Sequence, residues 1–419
     1  MWWSMHYAGF MLTRRTTFRL YPSRQQVAKL HYWRRLHCSL YNAAVANRKT
    51  QYQKFRHSVD YFEQQNSLPA FKEVWEEYTE LGSQALQATL KRVDFTFQRF
   101  FKLKSGYPKF KPSRTYRGWT YPAKSGWKAH GNGENGYLEL SRLGVIQMRG
   151  KARTWGIPTT CTVFFDQGKW YASITVQCQP ERELGTGVIG ADFGCKTAVA
   201  LSDGTKIEAP KFLAKAQDQI KNLSKQQRRK RKPEKHKVKA SRRWKKIQAK
   251  IRKVKRKVKN QRQNWVHQTA TDITSCNSIV ATEKINLRGM TRKGKTRQKT
   301  GLNRSMLDGG MGMLRSAIEY KLLEGNGFLM EAPTQKLKPT QRCAKCWELT
   351  PKTLSDRLHV CSNPQCRHTE DRDVNSAQVC KIWAREIGTV SQNAEPPSST
   401  SCGSMKQLGA LKRQKPPAL

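Results

Sequence analysis

The chain has 419 residues, enough for two or three domains that each bury a core. Its 79 lysines and arginines against 30 acidic residues give a formal charge of +49 and a pI near 10.3, an excess that repels itself in a compact state unless a polyanion neutralises it. That points to nucleic acid rather than a membrane, because no stretch reaches the roughly 20 apolar residues of a span and the opening MWWSMHYAGFM has no positive charge ahead of its apolar run, so a cytoplasmic, unsecreted chain is expected.

Taken in chain order, Ser23 and Gln26 have the spacing of a helix capping box, and Val27, Leu30, Trp33, Leu36 and Leu40 then recur on one helical face. A second helix starting near Ser83 would bury Leu86, Leu90, Val93, Phe97, Phe100 and Phe101. The stretch 106–128, GYPKFKPSRTYRGWTYPAKSGWK, interleaves basic and aromatic residues. It reads as a loop, either suited to phosphate contact and base stacking or simply exposed. From about Tyr137 the period changes to two, and 161–165 with 169–178 predict a hairpin around Asp166-Gln167-Gly168. Trp170, Ala172, Ile174, Val176 and Cys178 share its inward face. Residues 12–185 are therefore expected to form a β-barrel-like module with a helical insertion, recognising nucleic acid.

A second region begins with GVIGADFG, an apolar strand ending on Asp192, followed by strand 197–202, a turn at Asp203-Gly204, and Lys206-Ile207-Glu208. Another strand, 277–285, carries Glu283. Between them, 20 of the 35 residues from Lys225 to Lys259 are Lys or Arg and one, Glu234, is acidic. Trp244, Ile247, Ile251, Val254, Val258 and Trp265 alternate by three and four, with Gln261 in the remaining position. This predicts a helix over 240–266, roughly 40 Å long, with one apolar seam, preceded by a basic helix that stops near Pro233. A homodimeric coiled coil is disfavoured, because like charges would flank the seam on both partners. Arg242, Arg243, Lys245, Lys246, Arg252, Lys255 and Arg256 are the candidate nucleic-acid contacts within a basic segment at 211–266. A helix is expected over 305–323, and a short one in HTEDRDVNSAQVCKIWA; the Ser/Pro/Gly-rich 386–419 reads as a disordered tail.

Eleven cysteines include two close pairs, Cys343/Cys346 and Cys361/Cys366, in a C-x2-C-x14-C-x4-C pattern. Four thiolates so paired supply a closed tetrahedral shell of the structural zinc type, in a ribbon at 340–368. Asp192, Glu283 and Asp373 are acids on two strands and a helix that can meet at one end of a sheet. Phosphodiester hydrolysis with two metal ions needs such a set, although acids on strands are common without that role.

GVIGADFG, IVATEKINLRGM, PTQRCAKC…CSNPQC and DRDVNSA occur in the order and approximate spacing of the TnpB family, which is related to the type V CRISPR effectors. FRLYPSRQQVAKL and GYPKFK resemble its N-terminal signatures. The resemblance implies a multidomain α+β and α/β chain whose second domain, 186–385, is an RNase H-like (RuvC) nuclease interrupted by the basic segment and the zinc ribbon. It implies Asp192, Glu283 and Asp373 as the catalytic acids holding Mg²⁺ ions, a structural Zn²⁺ on Cys343, Cys346, Cys361 and Cys366, and guide RNA and target DNA as partners of a monomeric ribonucleoprotein. The activity implied is RNA-guided cleavage of DNA beside a short flanking motif, by a transposon-encoded enzyme. A small CRISPR effector, a guide-free transposase and a nuclease-dead regulator are the rivals, the last disfavoured by the presence of all three acids. Three features depart from the family: the second cysteine pair is C-x4-C, Trp347 and Arg367 stand where the knuckles usually place glycine, and LNRSMLDGGMGML lacks an aromatic residue common at that place.

Overall fold

The computed structural model describes residues 11–389 apart from 104, 180–181, 196, 235–237, 293, 295 and 354; the tail expected beyond 386 lies outside the described residues from 390 onward. The chain divides at 180/181 into two compact units.

The first unit opens with a strand that the sequence reading missed, β1 (Leu12–Tyr21). Helices α1 (Arg24–Phe55), α2 (Tyr61–Asn66), α3 (Leu68–Val74) and α4 (Ser83–Phe101) follow, and then strands β2 (Gly118–Tyr121), β3 (Trp127–His130), β4 (Gly136–Leu140), β5 (Gly144–Arg149), β6 (Ile157–Asp166) and β7 (Lys169–Cys178). All pair antiparallel in one seven-stranded sheet of order β2-β6-β7-β1-β5-β4-β3. The helices are an insertion between β1 and β2.

The Ser23–Gln26 capping box is present in both directions, and Leu30, Trp33, Leu36 and Leu40 are buried. Phe101 is not; it lies 66% exposed, past the end of the α4 stripe. The β6–β7 hairpin turns where expected, pairing Asp166 with Lys169 across Gln167 and Gly168, both at positive φ. The expected loop at 106–128 is corrected: it contains β2 and the start of β3. Tyr116, Trp119, Tyr121 and Trp127 are core residues, with Trp119 packed edge-on against Trp33 and stacked on His37. Burial, helped by the nearby Arg92 charge, holds the His37 imidazole down at about 3, so it packs as a neutral ring.

The second unit begins with β8 (Gly187–Asp192), β9 (Thr197–Leu201) and β10 (Lys206–Glu208), then α5 (Phe212–Lys215), α6 (Gln217–Arg228) and α7 (Arg242–Cys276). The chain continues through β11 (Asn277–Glu283), α8 (Leu287–Met290), α9 (Arg297–Gly309), α10 (Met311–Glu324), β12 (Phe328–Ala332) and α11 (Thr334–Leu337), and ends in the hairpin β13 (Leu358–Val360) and β14 (Thr369–Asp371) and helix α12 (Arg372–Thr389). Five strands form one sheet of order β10-β9-β8-β11-β12: an antiparallel meander, then β11 and β12 parallel to β8.

Three helix expectations need correction. The basic helix extends ten residues beyond 266, to Cys276, and the preceding helix stops at Arg228 rather than near Pro233. Ser241 caps α7 by accepting the Trp244 N–H. Ile251 and Val258 are buried as the seam requires, but Gln261 is exposed and Arg262 turns inward instead. Its guanidinium meets Asp308 Oδ1 at 2.6 Å and donates to the Asp308 carbonyl at 3.0 Å. Asp308 also accepts the Leu213 and Ala214 N–H groups of α5, so one buried carboxylate ties α5, α7 and α9 together. The single helix expected over 305–323 is two, α9 and α10. They are broken at Gly310, whose φ of 71° suits glycine.

Candidate active site and metal centre

Asp192 and Glu283 owe their proximity to strand register. Parallel β8 and β11 pair Ala191 with Thr282, so the next residue on each, an acid, sits at the carboxyl end of its strand beside the other. Helix α12 lies against these strands so closely that a Cβ on Gly190 would stand 1.7 Å from the Ala377 carbonyl oxygen. Gly190 of GVIGADFG is thus there to admit the helix backbone. Gly190→Ala should lower stability by about 3 kcal/mol or more, read as a fall in the denaturation midpoint; an unchanged midpoint would mean that the helix can back away.

With α12 seated there, Val374, Asn375, Ser376, Ala377, Cys380 and Ala384 are buried. Ser376 donates to Glu283 Oε1 at 3.2 Å. Two of the acids act on the third. Burial, then the charges of Glu283 and Asp373, push the Asp192 carboxyl well above its ordinary range, with the nearby Arg372 charge opposing. Burial likewise raises Glu283, partly offset by the Ser376 hydrogen bond. Arg372 also donates to Asp373 Oδ1 from Nε and Nη2, at 3.2 and 3.1 Å. Neighbouring carboxylates, one of them pushed towards its protonated form, are short of positive charge. That donor chemistry fits divalent cations such as Mg²⁺.

Asp371 has a different job. It ends β14, and its Oδ1 accepts the N–H groups of Asp373 and Val374, which makes it the cap of α12; Oδ2 meets Lys206 Nζ at 2.6 Å. Burial raises its carboxyl, but the bonds from Lys206 and the two amides outweigh that and hold it below the ordinary range.

The four predicted zinc ligands stand together, their sulfurs all within 4.8 Å of one another. Cys343 Sγ lies 3.9 Å from Cys366 Sγ and Cys346 Sγ 3.4 Å from Cys361 Sγ. Zinc–sulfur bonds of about 2.3 Å in a tetrahedron put sulfurs about 3.8 Å apart, so the set fits one zinc ion. The C-x4-C spacing does not prevent this. Each pair still forms a knuckle, with Lys345 N–H donating to Cys343 Sγ and Asn363 N–H to Cys361 Sγ. Trp347 and Arg367 adopt the left-handed conformation that glycine usually takes there, at φ 65° and 47°, a strain of about 1 kcal/mol each. Arg342 braces the first knuckle: its guanidinium stacks 5.3 Å from the Trp347 ring and donates to the carbonyls of Leu337 and Trp347.

The candidate nucleic-acid contacts lie on the amino-terminal half of α7. Arg242, Arg243, Lys245, Lys246, Arg252 and Lys255 are exposed and Arg256 half-buried. Sequence reasoning missed Ser376 and Lys206 at the acidic site and Arg262 on α7. A hydroxyl one turn after Asp373 on a helix is the signal that could have found Ser376.

Comparison with known proteins shows what the chain is similar to. Residues 157–294 match the family model OrfB_IS605, described as “Probable transposase”, and residues 312–380 match the model described as “Cas12f1-like, TNB domain”. An Escherichia coli (strain K12) protein named “Putative RNA-guided DNA endonuclease InsQ” is 27% identical, over 95% of this chain and 96% of its own. A Streptomyces pristinaespiralis protein named “Putative RNA-guided DNA endonuclease” is 28% identical, over 93% and 94%. Among solved structures, a Cas12f1-sgRNA-target DNA complex matches at 12% identity and a TM-score of 0.47, over 88% of this chain and 99% of that one. Two family models thus match in succession along the chain, and over nearly its whole length it is similar to proteins named as RNA-guided DNA endonucleases.

Proposed function

We propose that the protein is an RNA-guided, Mg²⁺-dependent DNA endonuclease encoded by an insertion-sequence transposon, cutting target DNA beside a short flanking motif. The observation that carries this reading is the crowding of Asp192, Glu283 and Asp373 at one end of the second unit's sheet, with Asp192 pushed towards its protonated form. The sheet order, with acids at the ends of its first and fourth strands, supports the RNase H-like assignment. In this reading Asp192 and Glu283 hold the metal from adjacent strands, Asp373 completes the set from α12, and Ser376 fixes the Glu283 carboxylate. Bound Mg²⁺ supplies charge for the attacking and leaving oxygens of the phosphodiester. Water would be the nucleophile, so no covalent enzyme intermediate is expected.

Base pairing with the guide would supply sequence readout, leaving the protein to hold backbone and read a short duplex motif. The exposed basic face of α7 suits the first task, on a helix about 52 Å long. Replacing Arg242, Lys245, Arg252 and Lys255 together by Glu should weaken RNA binding by at least tenfold and flatten its salt dependence, measured by filter binding across salt concentrations. Unchanged affinity would remove α7 from the guide interface. The match to a model described as a transposase favours one rival, guide-free action on transposon ends. Sequencing the RNA that co-purifies from cells separates the two: a discrete structured species supports the guided reading, and a random sample of cellular RNA supports the rival.

A further inference from the structure

The geometry points to Asn375 as a positioning residue that makes the nuclease site depend on the cysteine ribbon. Asn375 lies on the first turn and a half of α12, two residues after Asp373, and is fully buried. A primary amide in such a place needs partners for both ends, and both partners belong to the first knuckle. Its Nδ2 donates to the Arg342 carbonyl at 2.7 Å, and its Oδ1 accepts the Ala344 N–H at 3.0 Å. Those two backbone groups flank Cys343 on either side, so the side chain grips the knuckle at a metal-ligating residue.

The other lobe of the ribbon grips the same turn. Arg372 N–H donates to the Arg357 carbonyl at 2.9 Å, Arg372 Nη1 donates to the Asp356 carbonyl at 2.8 Å, and β14 runs without a break into the helix. Asp373 therefore sits on a helical turn anchored from both sides by residues that the four cysteines hold in place. Position matters here, because metal ligands tolerate only a few tenths of an ångström of displacement. Asn375 touches neither the acids nor any substrate; it acts through the placement of Asp373.

This rests on the acids binding divalent metal as proposed above, and one set of measurements separates the two ideas. Mn²⁺ affinity, zinc content, guide binding and steady-state cleavage are compared for the RNA-loaded wild type and its Asn375→Ala, Asn375→Asp and Asp192→Asn variants. Asn375→Ala should keep one zinc per chain and normal guide binding, yet bind Mn²⁺ at least tenfold more weakly. It should also lower kcat at least tenfold with KM for target DNA within twofold. Asn375→Asp keeps the acceptor for Ala344 N–H but cannot donate to Arg342, so it should fall between. Unchanged Mn²⁺ affinity and kcat in Asn375→Ala overturns the proposal. So does a joint loss of zinc, guide binding and thermal stability in both Asn375 variants, which would mark a packing role only. If wild type binds no Mn²⁺ that Asp192→Asn abolishes, the metal-site reading itself fails, and this proposal with it.

Discussion

Asp373→Asn should lower target cleavage by on the order of 10³-fold or more, about 4 kcal/mol of transition-state stabilisation, while guide and target binding stay near wild type. The substitution keeps the size and most of the hydrogen bonding of the side chain but removes the charge that the metal needs. It also relieves the repulsion that raises Asp192, so the folded protein should lose no stability. Asp371→Asn makes the sharp comparison, since it changes the same functional group two residues away. Asparagine caps a helix about as well as aspartate. The Lys206–Asp371 pair, with its side chains 42% and 30% exposed, contributes at most about 1 kcal/mol. Asp371→Asn should therefore retain cleavage within about threefold of wild type. Parallel cleavage and binding assays on the two variants decide the matter, and the reverse pattern would make Asp371 the metal ligand.

The second large effect belongs to the ribbon. Cys343→Ser and Cys361→Ser should each release the zinc and leave residues 340–371 exchanging amide protons freely. Among the described residues the ribbon has only the two short strands β13 and β14 of its own, six residues in all. Structural zinc contributes about 10–16 kcal/mol in comparable small sites, far more than those strands can replace. Metal analysis and hydrogen exchange read the two effects separately. Full zinc retention in both variants would show that the ion sits elsewhere.

What was legible in the sequence follows from range. The β6–β7 hairpin, the α1 capping box and the strands carrying Asp192 and Glu283 have local signals, a turn dipeptide or a run of alternating residues, and these stood where expected. Strand β1 has no clear apolar alternation, because Arg14 and Thr16 interrupt the inward register that Leu12, Phe18 and Leu20 share. Strand β2 was taken for loop because Gly118–Tyr121 acquires its meaning from β6, more than forty residues away. Its aromatic residues fill a core that no local pattern announces. On α7 the seam drifted. An α-helix turns about 20° per heptad relative to a strict seven-residue repeat, so by the third heptad Arg262 and Val266 had replaced Gln261 and Trp265 as the inward pair.

For the site, residue types and order were enough to nominate the acids and the cysteines, because the resemblance to TnpB proteins supplied their roles. What the sequence could not supply were the supporting contacts. Ser376 on Glu283, Lys206 on Asp371 and Asn375 on the first knuckle each join residues that are distant in the chain or packed by a helix whose orientation only the fold reveals. Even the departures at Trp347 and Arg367 proved local: both residues adopt the backbone conformation expected of the missing glycines.

The central claim, that a bound RNA directs a metal-dependent DNA cut, is tested most directly by one cleavage measurement. The protein is purified with its RNA, stripped of it under high salt, and offered a duplex matching the guide, with and without the RNA added back and with and without Mg²⁺. The account predicts cleavage at a defined position only when RNA and Mg²⁺ are both present. Cleavage of the same duplex at the same position by the RNA-free protein would contradict it.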